Sequence, residues 1–167
     1  MRNKRWGCKV NSFVEKYGLY VAWSVSLVAT GGSLFFSEVL HWIPCELCWF
    51  QRIFMYPQVV LLGIAVLKND KKIWPYSFVL SVMGLCFSIY HYLVQHVPAL
   101  APYTPCGTTG VPCETTYINN LFGFITIPFL AGLAFLLTGI CMYFVGYSLR
   151  SDKSALVNHS DSSLATM

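Results

Sequence analysis

The chain has 167 residues, enough for one ordinary domain and thin for two. Apolar residues make up 56% of it and charged residues 11%, against roughly 25% charged in a typical soluble domain. So few charges cannot cover a water-exposed globule, and the mean hydropathy of +0.56 points to the membrane class instead. The net charge of +4 comes in short clusters with no basic stripe of interleaved aromatics, so nucleic-acid binding has no support.

In chain order, Arg2, Lys4, Arg5, Lys9 and Lys16 make residues 1–16 a basic N-terminal segment. An apolar run follows over 17–40, with Glu38 its single charge. At ~1.5 Å per residue it reaches roughly 36 Å, enough to span with some tilt. The run is too long for the apolar core of a signal peptide, and no small-residue cleavage site follows it, so it is read as a retained helix. A second span is expected over 47–67, ending at Lys68-Asn69-Asp70-Lys71-Lys72. Between Ile73 and Leu149 the only charge is Glu114, and Pro98, Pro102, Pro105, Gly107, Gly110 and Pro112 break the stretch. It divides into spans near 73–97 and 117–146 joined by a turn-rich loop. Residues 17–149 thus form one four-helix transmembrane domain, and 150–167 a polar tail, Ser-rich from Asp152 and expected to be disordered. The fold class is all-α, an integral membrane four-helix bundle.

Ten of the eleven Lys and Arg residues lie in the N-terminus, the 68–72 loop and the tail, while the loops near 41–46 and 98–116 carry none. By the positive-inside bias both termini are cytoplasmic and those two loops face outward. Of seven cysteines, four fall in the outward loops as two pairs, Cys45 with Cys48 and Cys106 with Cys113. Cys8 lies on the reducing side, and Cys86 and Cys141 sit inside spans, where free cysteine packs as a small hydrophobe.

Cys45-Glu-Leu-Cys48 has the redox spacing, in which one thiol can resolve the other's mixed disulfide. It can also supply half of a zinc site with Cys106 and Cys113, or take part in structural disulfides. Attachment of c-type haem fails, because Trp49 stands where His is needed. The redox reading leads and assigns no metal, since the second pair has a C-x₆-C spacing unlike that of zinc sites. Pro44 suits a first helical turn, which puts the pair at a helix N-terminus whose dipole favours thiolate. Arg52, one turn beyond Cys48, is costly in hydrocarbon unless it meets an anion, a polar ligand or the interface. It either snorkels to headgroups or holds the Cys48 thiolate and a carbonyl-bearing acceptor.

Thiols that oxidise other proteins need an electron sink. Neither a dinucleotide fingerprint nor paired haem histidines occur here, so a lipid-soluble quinone fits a bundle this small. His91 and Gln95, four apart near the outer end of the third span, either complete a quinone slot or hydrogen-bond between helices. A strong sink is needed: driving a partner at about −120 mV from a thioredoxin-like −270 mV is uphill by roughly 7 kcal/mol.

These residues resemble the disulfide bond formation protein B (DsbB) family, closest to its short-looped BdbC-type members. The likeness rests on Cys45-Glu-Leu-Cys48-Trp-Phe-Gln-Arg52, Met55-Tyr56-Pro57, Tyr90-His91-Tyr92, Cys106-Gly-x₄-Pro-Cys113 and Phe122-Gly-Phe-Ile-Thr-Ile-Pro128. It implies a thiol:quinone oxidoreductase of the bacterial cytoplasmic membrane, using ubiquinone or menaquinone. Its partner would be an extracytoplasmic thioredoxin-fold thiol oxidase of DsbA or BdbD type, which it reoxidises to drive disulfide formation in secreted proteins. The resemblance makes Cys45 and Cys48 the quinone-proximal pair, with Cys48 the charge-transfer thiolate, and Arg52 the quinone's stabiliser. It places His91 and Gln95 near the quinone. Cys106 would exchange with the partner, and Cys113 would pair with Cys45. Gln51 departs from the acid that many members carry before the arginine, and the outer pair is more closely spaced than in long-looped members. The competing readings are a non-catalytic four-span scaffold with structural disulfides in its outer loops, and the same chemistry run in reverse.

Overall fold

The computed structural model describes residues 2–97 and 126–164, with side chains over 17–97 and 126–151. Among the described residues four α-helices carry the fold: α1 (Arg2–Leu34), α2 (Glu46–Lys68), α3 (Trp74–His96) and α4 (Ile127–Leu164). A π-helical turn over Phe35–Val39 extends α1, and a 3₁₀ turn over Lys71–Ile73 leads into α3. No strand occurs among the described residues. The helices long and apolar enough to cross a membrane lie at Tyr17–Val39, Glu46–Lys68, Lys71–His96 and Ile127–Ser151. The loop bearing Cys106 and Cys113, and the expected start of the fourth span at 117, lie outside the described residues. One expectation is overturned: α4 continues past its apolar span to Leu164, so most of the segment read as a disordered tail is helical. Polar composition did not end the helix because no Pro or Gly interrupts 152–164.

Local chemistry sets the turns. The α2–α3 corner is closed by Asn69 in the left-handed region (φ 50°), whose N–H returns to the carbonyls of Ala65 and Val66. Asp70 then accepts from the Lys72 N–H. At the other end, His41 (φ 52°) reverses the chain after the π turn. Pro44 precedes α2, and Cys45 is its N-cap.

Packing runs in a ring: α1 against α2, α2 against α3, α3 against α4 and α4 back against α1. Polarity is arranged for lipid rather than water. Large apolar side chains such as Val28, Leu67, Tyr76 and Val79 are exposed, while Ser26, Gln58, Ser77, Ser81, Ser88 and Thr138 are buried between helices. Some of these polar groups join neighbouring elements: Ser81 Oγ donates to Gln58 Oε1 (3.4 Å), and Ser88 Oγ donates to the Pro128 carbonyl. An apolar cluster of Leu19, Ala22, Leu62, Ala65, Met142 and Val145 closes the bundle at the end away from Cys45.

At Gly84 the backbone of α3 lies against the Phe135 ring of α4, and a Cβ there would collide with that buried ring. Gly84→Ala should therefore lower stability by about 1–3 kcal/mol, as overpacking does. Gly31→Ala, with no neighbour near its Cβ among the described residues, should change it far less. Unfolding of both variants in detergent checks the contrast, and equal losses would contradict the close approach.

Candidate functional site

The C-terminal end of α1, the start of α2, the C-terminal end of α3 and the start of α4 surround a cavity of about 590 Å³ with predominantly apolar walls. Cys45 and Cys48 line it because α2 begins at Glu46, so the pair occupies the N-cap and first turn of that helix. Their sulfurs are 2.9 Å apart, within reach of a disulfide without rebuilding the backbone. Cys45 is 6% exposed and packs with Leu47 and Val94.

His91 reaches this pair from α3. It is 1% exposed, and its Nε2 lies 3.6 Å from Cys45 Sγ. On the other side of the ring, Gln51 Nε2 donates to His91 Nδ1 at 3.1 Å, so the ring proton sits on Nε2 and is donated to the Cys45 sulfur. Cys48 is the second donor to that sulfur and the largest influence on it. Despite opposing burial, these donors hold Cys45, just ahead of the membrane span, down at about 4 from the ordinary 9.0. Both contacts favour the charged form of Cys45 in the dithiol.

A depressed pKa means that Cys45 is charged above about 4 and loses its charge only as pH falls through that value. Alkylation of the reduced protein at Cys45, mapped by mass spectrometry, should hold its rate from about pH 8 to about pH 5. An ordinary thiol slows about tenfold per unit below its pKa, and that behaviour at Cys45 would contradict the hydrogen-bonded thiolate.

Arg52 is half-buried and lines the same cavity. Its Nη2 donates to the Ser33 carbonyl at 3.1 Å, and its guanidinium lies 5.6 Å from the centroid of the Trp49 ring. Among the described residues its hydrogen bond goes to this carbonyl rather than to Cys48. Gln95 lies one turn beyond His91 and also lines the cavity. Its Oε1, Tyr56 OH and Thr126 Oγ1 are buried polar atoms with no hydrogen-bond partner among the described residues, and all three residues face this space.

The structure thus brings together Cys45, Cys48, Arg52, His91 and Gln95, while Cys106 and Cys113 lie outside the described residues. Sequence reading gave no role to Gln51 beyond noting its departure from an acid, yet it is the partner that fixes the His91 ring. Its position seven residues before Gln58, also buried on α2, was the available signal. Ser33, Tyr56 and Thr126 have no assigned role in the sequence reading: Tyr56 and Thr126 occur there only inside the motifs that carry the resemblance, and Ser33 is an isolated polar residue in an apolar run.

A family model described as disulfide bond formation protein DsbB matches residues 15–145. The chain is 52% identical over 124 residues to disulfide bond formation protein C of Bacillus subtilis (strain 168), covering 74% of this chain and 88% of that protein. It is 50% identical over 132 residues to the probable disulfide formation protein C 1 of Bacillus anthracis, covering 78% and 93%. A probable disulfide formation protein of Coxiella burnetii (strain Dugway 5J108-111) is 43% identical over 140 residues, covering 84% and 95%. No solved structure matches significantly.

Proposed function

The chain belongs to the disulfide bond formation protein DsbB family, and from that premise we propose that it is a membrane protein-dithiol:quinone oxidoreductase. It reoxidises an extracytoplasmic thioredoxin-fold thiol oxidase and so drives disulfide formation in secreted proteins. The observation that carries this reading is a hydrogen-bonded dithiol opening onto an apolar cavity of about 590 Å³ that also holds an arginine. Both termini lie in the cytoplasm, so that cavity and the 98–116 loop are on the outer side of a bacterial cytoplasmic membrane.

A quinone suits the residues present. Its ring needs apolar walls, and its carbonyls need donors; Arg52, Tyr56 and Thr126 offer donors, and the latter two have no partner among the described residues. When bound it supplies a two-electron, two-proton acceptor, ubiquinone or menaquinone according to the membrane. The protein's residues do the rest. Cys106 exchanges with the reduced partner, and the Cys113 thiolate released by that exchange attacks Cys45 of the inner disulfide and frees Cys48. Cys106, freed in turn as the partner leaves oxidised, then displaces Cys45 from Cys113, so electrons pass inward as the disulfide passes outward. Reduction of the inner pair then leaves two thiols at Cys45 and Cys48. Their oxidation forms one S–S bond and releases two electrons and two protons to the acceptor. In the dithiol His91 and Cys48 hold the Cys45 charge; once Cys45 is joined to Cys113, the remaining charge belongs to Cys48, beside Arg52. Gln51 keeps the His91 donor turned to sulfur, and the apolar walls exclude water from the exchange.

The test is quinone reduction by the purified protein with a reduced thioredoxin-fold dithiol partner. Wild type should turn over, and Cys106→Ala should block electron entry from the partner while Cys45 and Cys48 stay reducible by small thiols. Partner-driven turnover that survives Cys106→Ala would remove the outer relay from the mechanism.

A further inference from the structure

Cys45 Sγ, Cys48 Sγ and a ring nitrogen of His91 lie within 4.8 Å of one another, two of the three side chains fully buried and all three facing the cavity. We propose that the reduced centre is a three-ligand site for a soft cation, zinc or copper(I), and that occupying it arrests the redox cycle. The donor set is the one these cations prefer, two thiolates and an imidazole. The spacing suits it. With zinc–sulfur bonds of ~2.3 Å and zinc–nitrogen bonds of ~2.0 Å, tetrahedral ligands sit about 3.5–3.8 Å apart. The Cys45–His91 distance is 3.6 Å already, and the sulfur pair has to open by only a side-chain rotation from 2.9 Å. The fourth position faces the cavity and is left to water or another small ligand.

Gln51 lets one ring serve both states. With its Nε2 on His91 Nδ1, the ring presents an N–H to sulfur. A half-turn of the same buried amide presents Oε1 instead, which accepts from Nδ1–H and frees the Nε2 lone pair for a metal. Metal and disulfide are mutually exclusive, because the S–S bond removes both thiolate ligands. Coordination displaces the thiol protons and leaves the sulfurs unable to attack, with no change in oxidation state. The binding rests on the geometry alone, whereas the arrest rests on the thiol:quinone reading.

The test uses the full chain with Cys106→Ser and Cys113→Ser, so that the outer pair supplies no ligands. Zinc binding is measured by equilibrium dialysis, and cadmium–thiolate absorption reports the ligands. The reduced protein should bind one zinc per chain, and the same preparation after oxidation of the inner pair should bind none there, a comparison that needs no folding control. His91→Ala should weaken binding at least tenfold and Gln51→Leu by about tenfold. Zinc should stop quinone reduction driven by a small dithiol, and a chelator should restore it. Binding that persists after oxidation, or that ignores His91→Ala, would overturn the site. Failure to bind zinc in protein that still reduces quinone would refute the metal proposal alone. Zinc bound as expected by protein that never reduces quinone would uphold the site and refute the electron-transfer reading.

Discussion

Cys48→Ser should lower partner-driven quinone reduction at least about 1,000-fold, the scale expected when an essential nucleophile is removed. Cys48, 2.9 Å from the Cys45 sulfur, has one task in the proposed cycle that a hydroxyl cannot perform: a serine can still donate to Cys45, but it cannot supply the second sulfur of the S–S bond whose formation releases the electrons. With serine there, Cys45 can still be joined to Cys113, but no inner sulfur is left to resolve that disulfide at Cys45. The variant should therefore accumulate a Cys45–Cys113 linkage, visible by non-reducing peptide mapping. The loss should appear in kcat rather than in the KM for quinone, because no wall of the cavity is removed. Turnover near wild type would end the role given to the inner pair.

The second large effect is expected at Arg52. Its guanidinium is oriented by the Ser33 carbonyl and stacked on Trp49. The remaining N–H groups of a five-donor fork are then available in an apolar cavity, where charge-assisted hydrogen bonds are strong. Arg52→Ala removes one such bond to the acceptor, about 1.5–3 kcal/mol, and should raise the KM for quinone roughly 10–150-fold. Arg52→Lys should recover only part of this, since an ammonium keeps the charge but not the planar fork. Steady-state kinetics over a quinone series checks both. A KM unchanged in Arg52→Ala would show that the arginine serves the fold or the interface instead.

Much of this arrangement can be read before any coordinates. Lys68 and the basic 68–72 loop mark the end of α2 and the turn to α3, and Pro44 marks the start of α2 one residue before the redox pair. The C-x-x-C spacing and an arginine one turn later single out the candidate site because both are chemically expensive in a membrane. What escapes sequence is tertiary. Ser33 matters through its carbonyl, which every residue has, at the point where α1 widens into the π turn over Phe35–Val39. Gln51 matters because α3 carries His91 to it across 40 residues of sequence. His91 itself is read from sequence either as completing a slot or as hydrogen-bonding between helices, and its actual partners, Gln51 and Cys45, depend on how α2 and α3 face one another. The helical stretch beyond Ser151 went unread because its polar composition hid a segment with no helix breaker.

The central claim is that electrons from the Cys45–Cys48 dithiol pass to quinone at this cavity. A single-turnover titration tests it with no partner protein involved. The Cys106→Ser/Cys113→Ser chain, fully reduced and free of excess thiol, is mixed anaerobically with quinone. The account predicts one quinol formed per chain, with Cys45 and Cys48 becoming inaccessible to alkylation at the same rate. Quinone left unreduced while both thiols remain alkylatable would contradict it.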